Sequence, residues 1–215
     1  MNIEELIKTR LHINNHPLVK AKLTMLRDKN TGPKDFRELV NEIATLICYD
    51  ATSDIKIEPK QVETPLGIAD GFNCLQSFGI VPILRAGLGM VQGIATLLPT
   101  AKIGHIGMYR NPETLQPVEY YCKLPPQMEK REILLVDPML ATGRTAEQSI
   151  SFLKKAGAKS IKVLCIVAVK DGVVEVLSKH PDVSIYAAAY DERLTDHGYI
   201  YPGLGDAGDR LFGTR

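Results

Sequence analysis

Along most of the chain, short unbroken apolar runs alternate with stretches whose apolar residues recur at helical spacing. Gly79-Ile80-Val81-Pro82-Ile83-Leu84 reads as a buried strand, and Pro82, which lacks a ladder donor, predicts an edge position or a strand start. The small-residue turn Arg85-Ala86-Gly87-Leu88-Gly89-Met90 follows and leads into a helix through about Leu98. Further strands are predicted at 102–108, 133–136, 161–169 and 183–190, the third of them rich in β-branched residues. Helices fall between them, over about 145–156 with Gly157 as its stop and over about 173–180 ahead of Pro181. Earlier, Asp35-Phe36-Arg37-Glu38 has capping-box character, and Leu39, Val40, Ile43, Leu46 and Ile47 carry the helical period to about Tyr49. Strands that alternate with helices predict a mostly parallel sheet covered on both faces, with ligands gathered at the carboxyl ends of the strands.

Two segments interrupt this order. Residues 109–121 hold a turn-prone centre between two potential strands, which predicts a projecting hairpin or hood. The tail from Asp196 onward contains Gly198, Gly203, Gly205, Gly208 and Gly213. Glycine is costly to order, so such density calls for a reason, and a close approach of backbone to a flat ligand would supply one.

Composition narrows the possible functions. Lys and Arg number 26 against 25 for Asp and Glu, so no basic excess points to nucleic acid and any anion site must be local. Apolar residues at 45% allow a full core, and 215 residues suit one α/β domain. The acidic start, Met1-Asn2-Ile3-Glu4-Glu5-Leu6, lacks a secretory profile, and no apolar run approaches the ~18 residues of a membrane span. Cys48, Cys74, Cys122 and Cys165 are scattered without a C-x-x-C pair, which predicts reduced thiols in a cytoplasmic protein.

The strongest chemical signal is Ile133-Leu134-Leu135-Val136-Asp137-Pro138-Met139-Leu140-Ala141-Thr142-Gly143-Arg144-Thr145-Ala146, an apolar strand that runs into one acid and a Thr-Gly-x-Thr turn opening a helix. First-turn N–H groups lack intrahelical partners and sit at the positive end of the helix dipole, so the turn can hold a phosphate monoester. Thr142 and Thr145 add hydroxyl donors, and Gly143 lets backbone come close. Asp137 is placed to accept from sugar hydroxyls or to meet a hydrated Mg²⁺. The same residues also suit an ordinary capped turn, so this segment alone leaves both readings open.

Taken together, the loops carry a specific resemblance. His16-Pro17-Leu18-Val19, Val81 to Met90, Gly107-Met108-Tyr109-Arg110-Asn111, Val136 to Gly143, His180-Pro181-Asp182-Val183 and His197 to Thr214 occur in one order across nearly the whole chain. In this the chain resembles the uracil phosphoribosyltransferase family. The resemblance implies an α/β fold of the type I phosphoribosyltransferase kind: a mostly parallel sheet flanked by helices, one domain over 1–215, a hood at 109–123 and a base-binding segment at 195–215. It implies transfer of a 5-phosphoribosyl group from 5-phosphoribosyl 1-diphosphate to uracil, giving UMP and diphosphate.

Residue by residue, the resemblance assigns the donor to Asp137, Pro138, Met139, Leu140, Ala141, Thr142, Gly143, Arg144 and Thr145, and its diphosphate to Arg85 and Arg110. Uracil falls to Ile200, Gly205, Asp206 and Ala207, with Asp206 also facing the donor near the reacting carbon. Arg85, Arg110, Asp137 and Asp206 would be the catalytic set. Mg²⁺ is expected to arrive on the diphosphate, because Pro138 follows Asp137 where many phosphoribosyltransferases have a second acid. Arg144 stands where the family usually has a second glycine; at φ > 0 it would be strained by roughly 1–2 kcal/mol, and on a helical backbone its side chain would point outward or add a phosphate contact. Neither His197 nor Cys122 is needed as a nucleophile. GTP activation, as in parts of the family, and a homodimer or higher homo-oligomer complete the expectations.

Overall fold

Successive residues of a strand face opposite sides of a sheet, so a strand covered on both faces must be apolar throughout. The runs that carry this pattern form the middle of one sheet in the computed structural model, which describes residues 2–110 and 117–214, the side chains of 109, 110 and 117 excepted. The chain begins with α1 (Ile3–Arg10), β1 (Leu11–Ile13), α2 (Pro17–Arg27) and α3 (Pro33–Ala51). An antiparallel hairpin, β2 (Ile57–Thr64) and β3 (Gly67–Cys74), precedes β4 (Ser77–Leu84), α4 (Leu88–Leu97), β5 (Lys102–Ile103), β6 (His105–Arg110) and β7 (Pro117–Lys123). Then come β8 (Arg131–Val136), β9 (Met139–Leu140), α5 (Arg144–Lys155), β10 (Ser160–Val169), α6 (Lys170–Lys179) and β11 (Ser184–Asp191). The short pair β12 (Arg193–Leu194) and β13 (Ile200–Tyr201) leads to α7 (Ala207–Phe212).

The main sheet runs β1-β11-β10-β8-β4-β6-β7, with β5 beside β4 and β9 beside β10. Its strands are parallel except for the antiparallel β6–β7 pair. Leu134 and Val136 of β8 join a core formed with Leu23 of α2, Phe36 and Ile43 of α3, Met90 of α4 and Leu211 of α7. Ile133 and Leu135, one residue out of phase, join the opposite core with Leu6 of α1, Ile150 of α5 and Val176 of α6. Each fully buried Leu or Ile contributes roughly 1.5–3 kcal/mol relative to exposure, so the alternation fixes register as well as layer.

Three expectations are corrected. α3 starts two residues before Asp35, with Pro33 in its first turn and Gly32 as an N-cap that makes no side-chain bond, so the acidic tetrapeptide lies inside the helix. β4 is an interior strand, not an edge. Its neighbour on one side is interrupted, since β5 pairs with Gly79 and Ile80 and β6 with Ile83 and Leu84, and Pro82 falls in that gap where its missing donor leaves no ladder incomplete. The predicted strand 102–108 is likewise two pieces, divided at Gly104, where a Cβ would come within 2.8 Å of the Lys123 carbonyl oxygen.

Candidate functional site

The carboxyl ends of β4 and β8 deliver Arg85 and Asp137 to the same edge of the sheet. Asp137 donates its N–H to the Leu164 carbonyl at 3.2 Å and accepts from the Met139 N–H at 3.2 Å, so its carboxyl is fixed over the strand ends. Desolvation pushes this acid from the ordinary carboxylate range up to about 6, against the pull of the Met139 N–H.

Beyond Asp137 the chain pairs briefly with β10 through β9 and turns into α5. Gly143, the N-cap, has φ 76°, and no side chain caps the helix. The uncapped first turn borders a cavity of about 140 Å³ lined by Asp137, Met139, Leu140, Ala141, Thr142, Gly143, Thr145, Ala146 and Gly198. Gly143 also has a packing reason unseen in the sequence: a Cβ there would come within 2.5 Å of the Gly172 carbonyl oxygen on α6. Gly172 in turn could carry no Cβ without meeting the Ala141 carbonyl oxygen at 2.5 Å. Arg144 is the first residue of α5, its φ is not positive and its side chain is exposed, which removes the strained alternative. Pro138 is buried, and its carbonyl accepts from the Ile166 and Val167 N–H groups at 3.0 Å.

A second cavity of about 230 Å³ adjoins the first. Asp137, Met139, Ala141 and Gly198 line both, and the second adds Ala86, Tyr199, Ile200, Gly205, Asp206, Ala207 and Gly208. All four residues expected to meet the base therefore share one wall with Asp137. Four of the five tail glycines, Gly198, Gly203, Gly205 and Gly213, have φ between 61° and 79°, so left-handed backbone explains most of their density. Gly208 alone lacks positive φ, and it lies between Asp206 and Arg85.

What holds this loop was not evident from the sequence. Arg27 of α2 makes a bidentate pair with Asp191 at the end of β11, at 2.6 and 2.7 Å, and also donates to the Gly203 carbonyl at 2.9 Å. Asp191, itself 8% exposed, accepts from the Gly203 N–H at 2.8 Å. Arg210 stacks on Phe36 with its guanidinium carbon 4.3 Å from the ring centroid, and donates to the carbonyls of Leu204 and Asp28 at 2.9 and 2.6 Å.

Arg85 and Arg144 line neither of these two cavities, although Arg85 is next to Ala86, which does. Its guanidinium Nη2 lies 3.5 Å from Asp209 and its Cζ 5.9 Å from the centroid of the Phe212 ring. Arg110 ends β6, and its side chain, like the hood tip at 111–116, lies outside the described residues. His16 and His180 are accounted for by helix ends: His16 caps α2 through Nδ1, which accepts from the Leu18 N–H, and His180 closes α6. His197 is exposed in the turn between Thr195 and Tyr199.

A family model described as uracil phosphoribosyltransferase matches residues 13–214. A uracil phosphoribosyltransferase of Finegoldia magna is 60% identical over 208 residues, covering 96% of this chain and all of that one. Another, from a Geobacillus species, is 57% identical over 96% of this chain and 99% of its own. Among solved structures, the AQ2163 protein of Aquifex aeolicus superposes with a TM-score of 0.88 at 36% identity, covering 94% of this chain and 97% of that one. A hypoxanthine-guanine phosphoribosyltransferase of Bacillus anthracis, at 9% identity and a TM-score of 0.52 over 74% of this chain and 80% of its own, shares the fold alone.

Proposed function

Since the chain belongs to the uracil phosphoribosyltransferase family, we propose that the two cavities joined at Asp137 form its catalytic site, with the donor's 5-phosphate in the 142–145 turn and uracil against Ile200 and residues 205–207. The protein is a pentosyltransferase that moves the 5-phosphoribosyl group from 5-phospho-α-D-ribose 1-diphosphate to uracil, forming UMP and diphosphate in pyrimidine salvage. The observation that carries the assignment of sides is the shared wall: one carboxylate, Asp137, faces both cavities, as a ribose between phosphate and base requires.

In the reaction the bond from ribose C1 to diphosphate breaks, its electron pair leaves with the diphosphate, and C1 bonds to N1 of uracil, which loses its proton. Positive charge builds on the ribose ring, so Asp206, close to the reacting carbon, and Asp137, accepting from the ribose hydroxyls, favour the transition state electrostatically. Arg85 and Arg110 clamp the departing diphosphate with forked donors. Uracil's two carbonyls and N3–H suit the backbone groups of a glycine-rich loop. Cytosine reverses the pattern at position 4 and would leave buried polar groups unpaired.

Phosphoribosyltransferases generally use Mg²⁺ with this donor, and here the ion fits as one carried by the diphosphate. Among the described residues no three His, Cys, Asp or Glu side chains are grouped as a cage, while Asp137 and Asp206 face the joined cavity. When bound, the ion neutralises diphosphate charge. Activation by GTP belongs to the same family reading and is tested by adding GTP to the assay.

A homodimer or higher homo-oligomer is part of this reading. β2 and β3 form a sheet of their own, off the main one, with Ile68 and Phe72 more than 70% exposed and Leu66 wholly so. An isolated two-stranded hairpin is marginal in water, and its exposed apolar side chains, set on either side of the Gln61–Asp70 pair, are ones that a second copy would cover. One domain over 1–215 accords with a cavity wall that draws on residues from Ala86 to Gly208. No helix among the described residues is long and apolar enough to cross a membrane. A cytoplasmic location accords with four free thiols.

The purified protein is assayed with donor, Mg²⁺ and a panel of uracil, cytosine, hypoxanthine and adenine. Diphosphate release with uracil alone is the expected result. Release with another base would move the base assignment, and release with none would leave a nucleotide-sensing protein of the same fold.

A further inference from the structure

We propose that Asp209 is the positioning residue for Arg85, and that α7 thereby ties the diphosphate clamp to the uracil loop. The proposal rests on the reading of Arg85 as a diphosphate ligand and adds a residue and a linkage to it.

The side chain of Arg85 is 58% exposed, and a free guanidinium on a flexible stem loses much rotamer freedom when it binds an anion. Asp209 is placed to limit that freedom. Its side chain is only 16% exposed, its Oδ1 accepts from the Thr214 hydroxyl at 2.5 Å, and the same oxygen lies 3.5 Å from Nη2 of Arg85. Phe212, one helical turn on, presents its ring to the same guanidinium at 5.9 Å. The pair engages one of the five donors of Arg85, so the others are free of it and available to an incoming diphosphate.

The other end of the linkage is the base loop. Asp206, on the uracil cavity wall, accepts from the Asp209 N–H at 2.9 Å and so caps the helix that carries Asp209. Gly208 lies between them: a Cβ on it would be 3.3 Å from Oδ1 of Asp206 and 3.9 Å from Nη2 of Arg85. One short helix thus fixes the loop that meets the base and the side chain that meets the leaving group. The Asp206 bond uses the Asp209 backbone, whereas the Arg85 pair uses its carboxylate, so the two ends can be separated by substitution.

Steady-state kinetics of the whole protein with uracil, donor and Mg²⁺ make that separation. Asp209→Asn keeps the backbone cap and is expected to raise the donor KM about tenfold, while the uracil KM changes less than about twofold. Asp209→Glu should recover part of the loss. Thr214→Ala, which loosens the brace without changing charge, should raise the donor KM about threefold. In an Arg85→Ala background Asp209→Asn should cost nothing further, because it acts through Arg85. A full additional loss in that background, a parallel rise in uracil KM, or an unchanged donor KM in folded Asp209→Asn would each overturn the proposal. Arg85→Ala by itself tests the underlying reading: an unchanged donor KM there removes Arg85 from the diphosphate site whatever Asp209 does.

Discussion

Asp137 lines both cavities of the proposed site, and burial raises its pKa. Its pKa of about 6 in the free protein exceeds the ordinary carboxylate value, so the folded state holds the proton more tightly than the unfolded one. This group's contribution to stability therefore declines as pH rises from about 4 to about 6. The ionised form accepts more strongly from the ribose hydroxyls, so kcat/KM for the donor should rise with pH through about 6 and level off above it. The donor's own 5-phosphate titrates near 6 as well, so the decisive comparison is with Asp137→Asn, whose acid limb should be shallower by one proton. Identical limbs in the two proteins would remove Asp137 from the binding step. The presence of this acid after an apolar strand was legible in the sequence, but its desolvation was not, because that depends on neighbours such as Cys165 from β10. Arg144 is the reverse case: the unusual residue stood out in the sequence with two backbone alternatives, and the structure chose the helical, unstrained one.

At the level of elements, the loop proposed to hold uracil depends on a bond between the end of α2 and the end of β11. Arg27→Met would leave the carboxylate of Asp191 buried without its cation, at a cost of roughly 3 kcal/mol. The expected result is a lower melting temperature together with a uracil KM raised about tenfold, since Gly203 loses the donor on its carbonyl. Unchanged uracil KM in a destabilised protein would restrict the pair to a structural role. The strands β4, β8, β10 and β11 and the helices α4, α5 and α6 were legible because burial on both faces of the sheet writes an uninterrupted apolar run in the strands and helical spacing between them. α2 and the β2–β3 hairpin were not. The helix shows a clear first-turn proline only once His16 is seen to cap it, and the hairpin strands are exposed along nearly their whole length, so burial imposes no alternation on them.

At the scale of the whole molecule, the exposed hairpin is where assembly can be tested. Phe72→Glu replaces an exposed apolar side chain of the hairpin by a charge without touching either core. Sedimentation velocity should show the proposed oligomer shifted toward monomer, and an unchanged distribution would separate the hairpin from any interface. The sequence by itself determined the parallel core, the Thr-Gly-x-Thr helix start after β8 and the glycine-rich tail, because strand burial, helix starts and left-handed backbone are local demands that particular residue types satisfy. Tertiary structure alone decided that the turn and the tail share Asp137, that Pro82 lies in a gap beside an interior strand, that Gly143 faces Gly172, and that Arg27 pairs with Asp191 and Asp209 with Arg85. These are contacts between residues distant in the chain, and their specificity lies in distances and directions that no local pattern encodes.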